Sequence, residues 1–432
     1  MATFIVALGI IVLCIAITGV VLIRKGSLLE RAPLKTRKKA QIYCTAVAAV
    51  SLVFLCIFTY FQFFASDLYF GNYKDGLYDG QGILRYAEGP IYQGTFSEGK
   101  REGRGTYTLP NGERYEGQWA EDEMQGQGSF YYQGGSVYKG SWKNGLWDGF
   151  GVLTSKEGWV YEGNFVGGVR QGQGTLAYRD GSVYTGAFKN DMPDGRGTFT
   201  PGSSALPAYI GDWQRGIRQG SGVLTYKDGS VYTGEFFNDE IHGTGVFVST
   251  EGWTYEGSFE KGSRSGTGTL TYSDGSVYTG QWAKGKEEGW GTLTSALGWV
   301  YEGEWSAGQR SGQGTYRYQD GSVYSGGWNN NLENGSGSYI SAAGWSYTGD
   351  WVDGIQQGQG TIYFTNGSSY TGAWLNGART GFGTQTYRDI AGNYYGSYTG
   401  NFLGGYRSGQ GTFTYASGEV LSGTWQRDNY LG

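Results

Sequence analysis

A chain of 432 residues with 81 glycines, 36 tyrosines and 15 tryptophans does not read as disordered, because disordered chains lack aromatic side chains. Its net charge of −5 argues against nucleic acid as a partner, since phosphate binding needs a basic stripe. Glycine in this quantity beside 17% aromatics points to tight turns and rings packed on bare backbone, and only six prolines argue for strands.

In chain order, residues 2–23 are apolar and uncharged, and residues 40–65 are again free of charge. Each stretch is long enough to cross a hydrocarbon core, which takes roughly 20 residues of helix. The reading is transmembrane helix 1 over 1–23, a basic cytoplasmic loop over 24–39 and transmembrane helix 2 over 40–65, paired as a hairpin. Small residues Ala46, Ala49 and Ser51 suit close helix approach, and Tyr60, Phe61, Phe63 and Phe64 suit a membrane interface. The first stretch lacks the basic n-region and the cleavage site of a signal peptide. The loop sets Arg24, Lys25, Arg31, Lys35, Arg37, Lys38 and Lys39 against Glu30, so the positive-inside rule places it in the cytoplasm. Both termini and everything after residue 65 are then expected outside the cytoplasm, which in a bacterium means the periplasm, as an integral inner-membrane part of the cell envelope, and in a eukaryote a lumen or the cell exterior. The only cysteines, Cys14, Cys44 and Cys56, fall in these stretches, which leaves no disulfide or zinc site downstream.

From residue 66 to 432 one period dominates. A Tyr-x-Gly triplet recurs at Tyr69, Tyr92, Tyr115, Tyr138, Tyr161, Tyr184, Tyr209, Tyr232, Tyr255, Tyr278, Tyr301, Tyr324, Tyr347, Tyr370 and Tyr398, with Leu421 in the sixteenth place. The step is 23 residues except for one of 25, across Pro201 to Pro207, and one of 28, across Ala391 to Gly396. The residue four after each Tyr is aromatic in all sixteen units, and the residue fifteen after it is apolar or aromatic in fourteen of fifteen, Gln385 being the exception. Alternate residues of a strand share a face. Tyr161, Gly163 and Phe165 therefore share one face, and Gly172, Gly174 and Leu176 line the returning strand. Asp180-Gly181, Asp228-Gly229, Asp274-Gly275 and Asp320-Gly321 are hairpin turn signals, with calcium binding a minor alternative for the aspartates. The last unit, from Leu421, is expected to end after one strand as a cap.

The pattern Y-x-G-x-W/F, turn, G-x-G-x-apolar, turn resembles the MORN repeat from Tyr69 to the C-terminus. The resemblance implies a stack of β-hairpins used for scaffolding, for binding proteins or for contact with phospholipids, and implies no catalysis by itself. The expected fold is thus an all-β repeat solenoid of stacked antiparallel hairpins, a MORN ribbon, preceded by a two-helix transmembrane hairpin. Two strands per rung give a rise of about 10 Å.

A second period spans two units. Ser155, Ser249, Ser295 and Ser341 pair with Trp159, Trp253, Trp299 and Trp345, whereas Tyr178, Tyr226, Tyr272 and Tyr318 pair with Ser182, Ser230, Ser276 and Ser322. Each turn carries one large ring and one small residue, either as conserved volume in one layer or as an aromatic stripe for a ligand or partner. At the opposite turn Arg170, Arg218, Arg264, Arg310 and Arg407 alternate with Asp148, Asp194 and Glu288. They read either as salt bridges between rungs or as a strip of Arg prongs for carboxylates or phosphates. The candidate contact residues are Trp159, Trp253, Trp299, Trp345, Tyr178, Tyr226, Tyr272, Tyr318, Arg170, Arg218, Arg264 and Arg310.

His242 is the only histidine, and no H-E-x-x-H, phosphate-loop or nucleophile-elbow motif occurs in a fitting setting. No cofactor, metal or catalytic role is expected. The leading functional reading is a membrane-anchored, non-enzymatic scaffold whose ribbon binds or spaces protein partners, with self-association left open. A glycan-binding accessory to envelope polysaccharide synthesis or export comes second, and phospholipid-headgroup binding third.

Overall fold

The computed structural model describes residues 33–64, 66–203 and 206–432. They form one helix, α1 (Leu34–Phe64), and thirty-two strands, β1 (Leu68–Lys74) to β32 (Asn429–Tyr430) in chain order. The chain divides into two compact units, Met1–Arg170 and Gln171–Gly432, called units 1 and 2 below.

The N-terminal expectation needs correction. The span expected over 1–23 lies outside the described residues, as does most of the loop. The segment expected as helix 2 does form a helix, but α1 starts at Leu34 and takes Lys35, Arg37, Lys38 and Lys39 into its first two turns. The basic run from Lys35 to Lys39 is therefore helix rather than loop. Among the described residues no helix is long and apolar enough to cross a membrane. This overturns the integral-membrane placement. The orientation inferred from loop charge falls with it, and so do the bilayer as a partner through two helices and the periplasmic location.

The repeats fold as their period requires. Each rung is an antiparallel pair, typically of seven and nine residues, as in β19 (Val277–Ala283) and β20 (Lys286–Thr294). Tyr278 lies opposite Leu293 and Gly280 opposite Gly291, and a bulge follows before Trp282 meets Glu287. The next strand, β21 (Val300–Ser306), repeats the match, with Gly291 opposite Gly303 and Leu293 opposite Tyr301. The hairpin turns on Lys284 and Gly285, at φ +51° and +81°, as the two-residue primed turn requires.

Glycine makes room for the core. The Tyr278 ring lies over Gly280 and Gly291, where an added Cβ would come within 2.5 and 2.3 Å of its hydroxyl oxygen. The ring is fully buried, and its hydroxyl donates to the Gln281 carbonyl at 3.0 Å. Trp282 of the same rung and Trp305 of the next both meet it edge-on, with centroids 5.1 and 5.2 Å away. The indole N–H groups of Trp282 and Trp305 each donate to a glycine carbonyl at 3.2 Å. Buried rings in edge-to-face contact with their polar handles satisfied are the favourable case for an aromatic core. In unit 1 the same zipper links Tyr92, Trp119, Tyr115 and Trp142.

The C-terminal rung differs from the expected single-strand cap. After β31 (Val420–Gln426) the chain turns back as the two-residue β32. The Tyr430 ring packs on Trp425 at 5.1 Å, and the Thr424 N–H donates to the Gly432 carbonyl. The residues from Asn429 to Gly432 thereby pair with the Thr424 to Gln426 part of β31.

Candidate partner-binding surface

The alternation of Ser and ring at the second turn serves packing first. Ser182, Ser230, Ser276 and Ser322 are buried, and their hydroxyls accept the N–H of Gly202, Thr250, Ala296 and Ala342 in the following rung. The turn aspartates are used locally, since Asp274 and Asp320 each accept the N–H of the Ser two residues on at 2.8 Å. The rings opposite these serines pack against the core with one face left over. Trp159, Tyr226, Trp253, Tyr272, Trp299, Tyr318 and Trp345 are half-buried, and Tyr178 is exposed.

In unit 2 some of these rings join into a row. Trp299 stacks on Tyr316 at 5.2 Å with planes 20° apart, and Tyr316 meets Tyr318 at 4.5 Å. Tyr318 meets Tyr339 at 5.8 Å, and Tyr339 meets Trp345 at 5.0 Å. Phe247 likewise joins Tyr226 to Trp253, at 5.6 and 5.0 Å. The linking rings Tyr316, Tyr339 and Phe247 were missed as site residues, because the position fifteen after each Tyr reads as core. The available signal was an aromatic there where neighbouring units carry Leu.

Polar groups line this row. The hydroxyls of Tyr272 and Tyr318 donate to Glu287 and Glu333, each at 2.9 Å. Burial first, then these carboxylates, push both phenols well above their ordinary range. Trp253 donates to Glu251 at 3.4 Å, whereas the indole N–H of Trp299 and of Trp345 has no acceptor among the described residues. The core indoles of Trp328 and Trp351 spend theirs on Gly314 and Gly337.

The arginines lie flat. Arg264 sits 4.2 Å over the Trp282 ring and 5.9 Å from Trp253, and Arg310 sits 4.5 Å over Trp328 and 5.1 Å from Tyr316. Arg170 lies 5.8 Å from Trp159, and Arg218 lies 5.6 Å from Phe236. Arg218, Arg264 and Arg310 each donate to a turn carbonyl of the next rung, that of Asp239, Gly285 or Asn331. Where that turn residue is Asp rather than Gly, its carboxylate also accepts the arginine's backbone N–H, as Asp239 does from Arg218 at 2.8 Å. These side chains clasp rungs together instead of projecting as prongs. Asp148, Asp194 and Glu288 do not pair with them; they accept turn N–H groups of Gly167, Arg215 and Ala307.

Comparison with known proteins agrees with the period. The MORN repeat model matches residues 69–90, 92–114, 115–137, 138–160, 161–183, 184–200, 209–231, 232–254, 255–277, 278–298, 301–323, 324–346, 347–369, 370–389 and 398–420. The chain belongs to the MORN repeat family. The sixteenth unit, from Leu421, is not among the matched segments. No curated protein sequence matches the chain. Among solved structures, the TCP domain of SAS-4 (dCPAP) of Drosophila melanogaster, in complex with a proline-rich motif of Ana2 (dSTIL), aligns at 13% identity and TM-score 0.24, over 36% of this chain and 85% of its own. The TCP10 domain of Danio rerio CPAP aligns at 11% identity and TM-score 0.19, over 56% of this chain and 92% of its own. Similarity at that level carries no argument about fold or partner.

Proposed function

We propose that the chain is a non-enzymatic scaffold and that its ring row from Trp299 to Trp345 receives a protein partner. The observation behind this reading is the pair of indole N–H groups on Trp299 and Trp345 that have no acceptor among the described residues, set on two half-buried rings, of which Trp299 stacks on Tyr316 and Trp345 meets Tyr339 at a tilt. Rigid aromatic anchors with a spare donor are the side chains that dominate protein interfaces. Trp253, Tyr226 and Phe247 extend the same kind of surface. Arg264, 5.9 Å from Trp253, and Arg310, 5.1 Å from Tyr316, are already engaged with turn carbonyls of the next rung.

The test is co-purification with the full chain, comparing wild type with the double variant Trp299→Ser, Trp345→Ser. A specific partner should be retained by wild type and lost from the double variant while circular dichroism is unchanged. Electrophoresis of the same proteins through gels containing soluble polysaccharide separates the glycan alternative. Retardation that the double variant abolishes would replace the protein partner by a sugar polymer. Equal recovery of the partner with both chains would return the rings to packing alone.

A further inference from the structure

The opposite face of the same sheet carries a second surface. The hydroxyl residue one after each Tyr aligns across strands with the one fourteen after it. From Thr315 the aligned residues are Ser325, Ser338, Thr348, Thr361 and Thr371. They continue through Thr384, Thr399, Thr412 and Ser422 without a break. Cross-strand pairs are hydrogen-bonded, Thr361 with Thr371 at 3.0 Å, Thr384 with Thr399 at 3.1 Å and Thr412 with Ser422 at 2.9 Å. One hydroxyl of each pair donates inward, so each pair keeps one outward donor and spare lone pairs.

Strand geometry alone does not demand this. The same row earlier in unit 2 includes Ile210, Val223, Val246, Glu256 and Glu302. Four residues along the first strand of each rung and six along the second, on the same face, stand apolar side chains next to the hairpin turns. Val352 pairs with Ile355, Leu375 with Ala378, and Leu403 with Tyr406. Val352, Ile355, Leu375, Leu403 and Tyr406, with Phe382 between the rows, are 47–68% exposed. The six strands concerned are β25 (Ser346–Val352), β26 (Ile355–Tyr363), β27 (Ser369–Leu375), β28 (Ala378–Arg388), β29 (Tyr394–Leu403) and β30 (Tyr406–Tyr415). Between the row of Ser346 and Ser369 and the hairpin turns, the single charge they place on this face is Asp350. Its carboxylate already accepts the Gln359 N–H at 3.0 Å.

We infer that this uncharged face of β25 to β30 packs against the same face of a second copy of the chain. Three properties select a second copy. A two-fold interface must be complementary to itself, and a face with almost no charge meets its copy without repulsion. Hydroxyls both donate and accept, so the Thr row satisfies an identical row, while the apolar stripe covers an identical stripe. Six strands at about 4.8 Å, crossed by about six residues at about 3.4 Å, make roughly 600 Å² per copy. Two copies then bury about 1,200 Å², the lower bound of a stable interface, and sheets pack this way face to face in sandwiches.

Light scattering and sedimentation equilibrium on the full chain test this. Wild type should have the mass of a dimer. Leu375→Glu with Leu403→Glu should weaken association roughly a hundred-fold, from two charges buried without partners, with unchanged near-ultraviolet circular dichroism. Val166→Glu, at the corresponding exposed position five after Tyr161 in unit 1, should leave the dimer intact. Should the double variant misfold, Thr371→Lys on the exposed hydroxyl row gives the same reading. A monomeric wild type, or a dimer that survives charge on this face, would overturn the inference. Neither result bears on the ring row, which lies on the other side of the sheet.

Discussion

In unit 1 the row facing away from the buried rings runs Gln93, Thr106, Glu116, Ser129, Lys139 and Val152, whereas in unit 2 from Thr315 to Ser422 it is hydroxyl throughout. A polar groove of about 810 Å³ follows that row in unit 1, over Gly105, Gly117 and Gly128 and between Arg104, Glu116 and Lys139. Beneath these different surfaces the core is the same, since Tyr115 and Tyr278 are equally buried over paired glycines and each is flanked by tryptophans. The difference teaches where this repeat is constrained. Positions that touch the ring have one solution, because a Cβ cannot share the space of a phenol. Positions that face water have many, so partner chemistry is written there.

The largest expected effect tests that shared core. Trp119→Ala in unit 1 and Trp282→Ala in unit 2 should each cost roughly 3–5 kcal/mol, as large-to-small core changes do. Denaturant unfolding of the two variants measures this, and a small loss at either position would break the equivalence.

Alkaline pH probes the same column without mutation. Burial pushes the phenols of Tyr232, Tyr255, Tyr347 and Tyr370 up to about 12 from an ordinary 10.0. The neutral form is therefore favoured in the folded state. This contribution is fully present below pH 10 and is lost as pH rises from there towards 12. Tyr92, Tyr115 and Tyr138 of unit 1 are pushed up for the same first reason. Tyrosinate absorbance should thus rise together with loss of circular dichroism over this window. Separate ionisation in a still-folded chain would show that the column is wetter than its geometry implies.

A smaller effect is expected at the edge of unit 2. Trp299→Ala should cost about 1–2 kcal/mol, less than Trp282→Ala, because part of its surface stays in water and its N–H has no acceptor among the described residues to abandon. Equal losses at the two positions would make the edge ring a core ring. The smallest effect concerns the clasps. Asp122→Asn in unit 1 and Asp239→Asn in unit 2 remove charge and keep the turn-compatible amide that Asn331 already uses with Arg310. Each should change stability by less than about 1 kcal/mol, as exposed ion pairs do. A larger loss in thermal melts would show that the charge matters beyond the hydrogen bond.

The sequence by itself determined the rung. Tyrosine, glycine and a second aromatic at alternate positions every 23 residues fix which face is buried, because strand side chains alternate and a ring needs bare backbone beneath it. The turn glycines followed from the same reasoning. Other features depend on neighbours that the period does not show. Arg264 and Arg310 read either as salt-bridge partners or as prongs, and it is turn carbonyls and tryptophan faces of the next rung that hold them flat. Tyr316 and Tyr339 read as core until stacking placed them between Trp299 and Trp345. The 40–65 segment read as a membrane span, and the helix that formed begins earlier and draws the basic run into itself. Periodic burial is a local property of a strand and is legible from one chain. Contacts between rungs depend on how far a long side chain reaches and which group it meets there, and only the tertiary structure decides that.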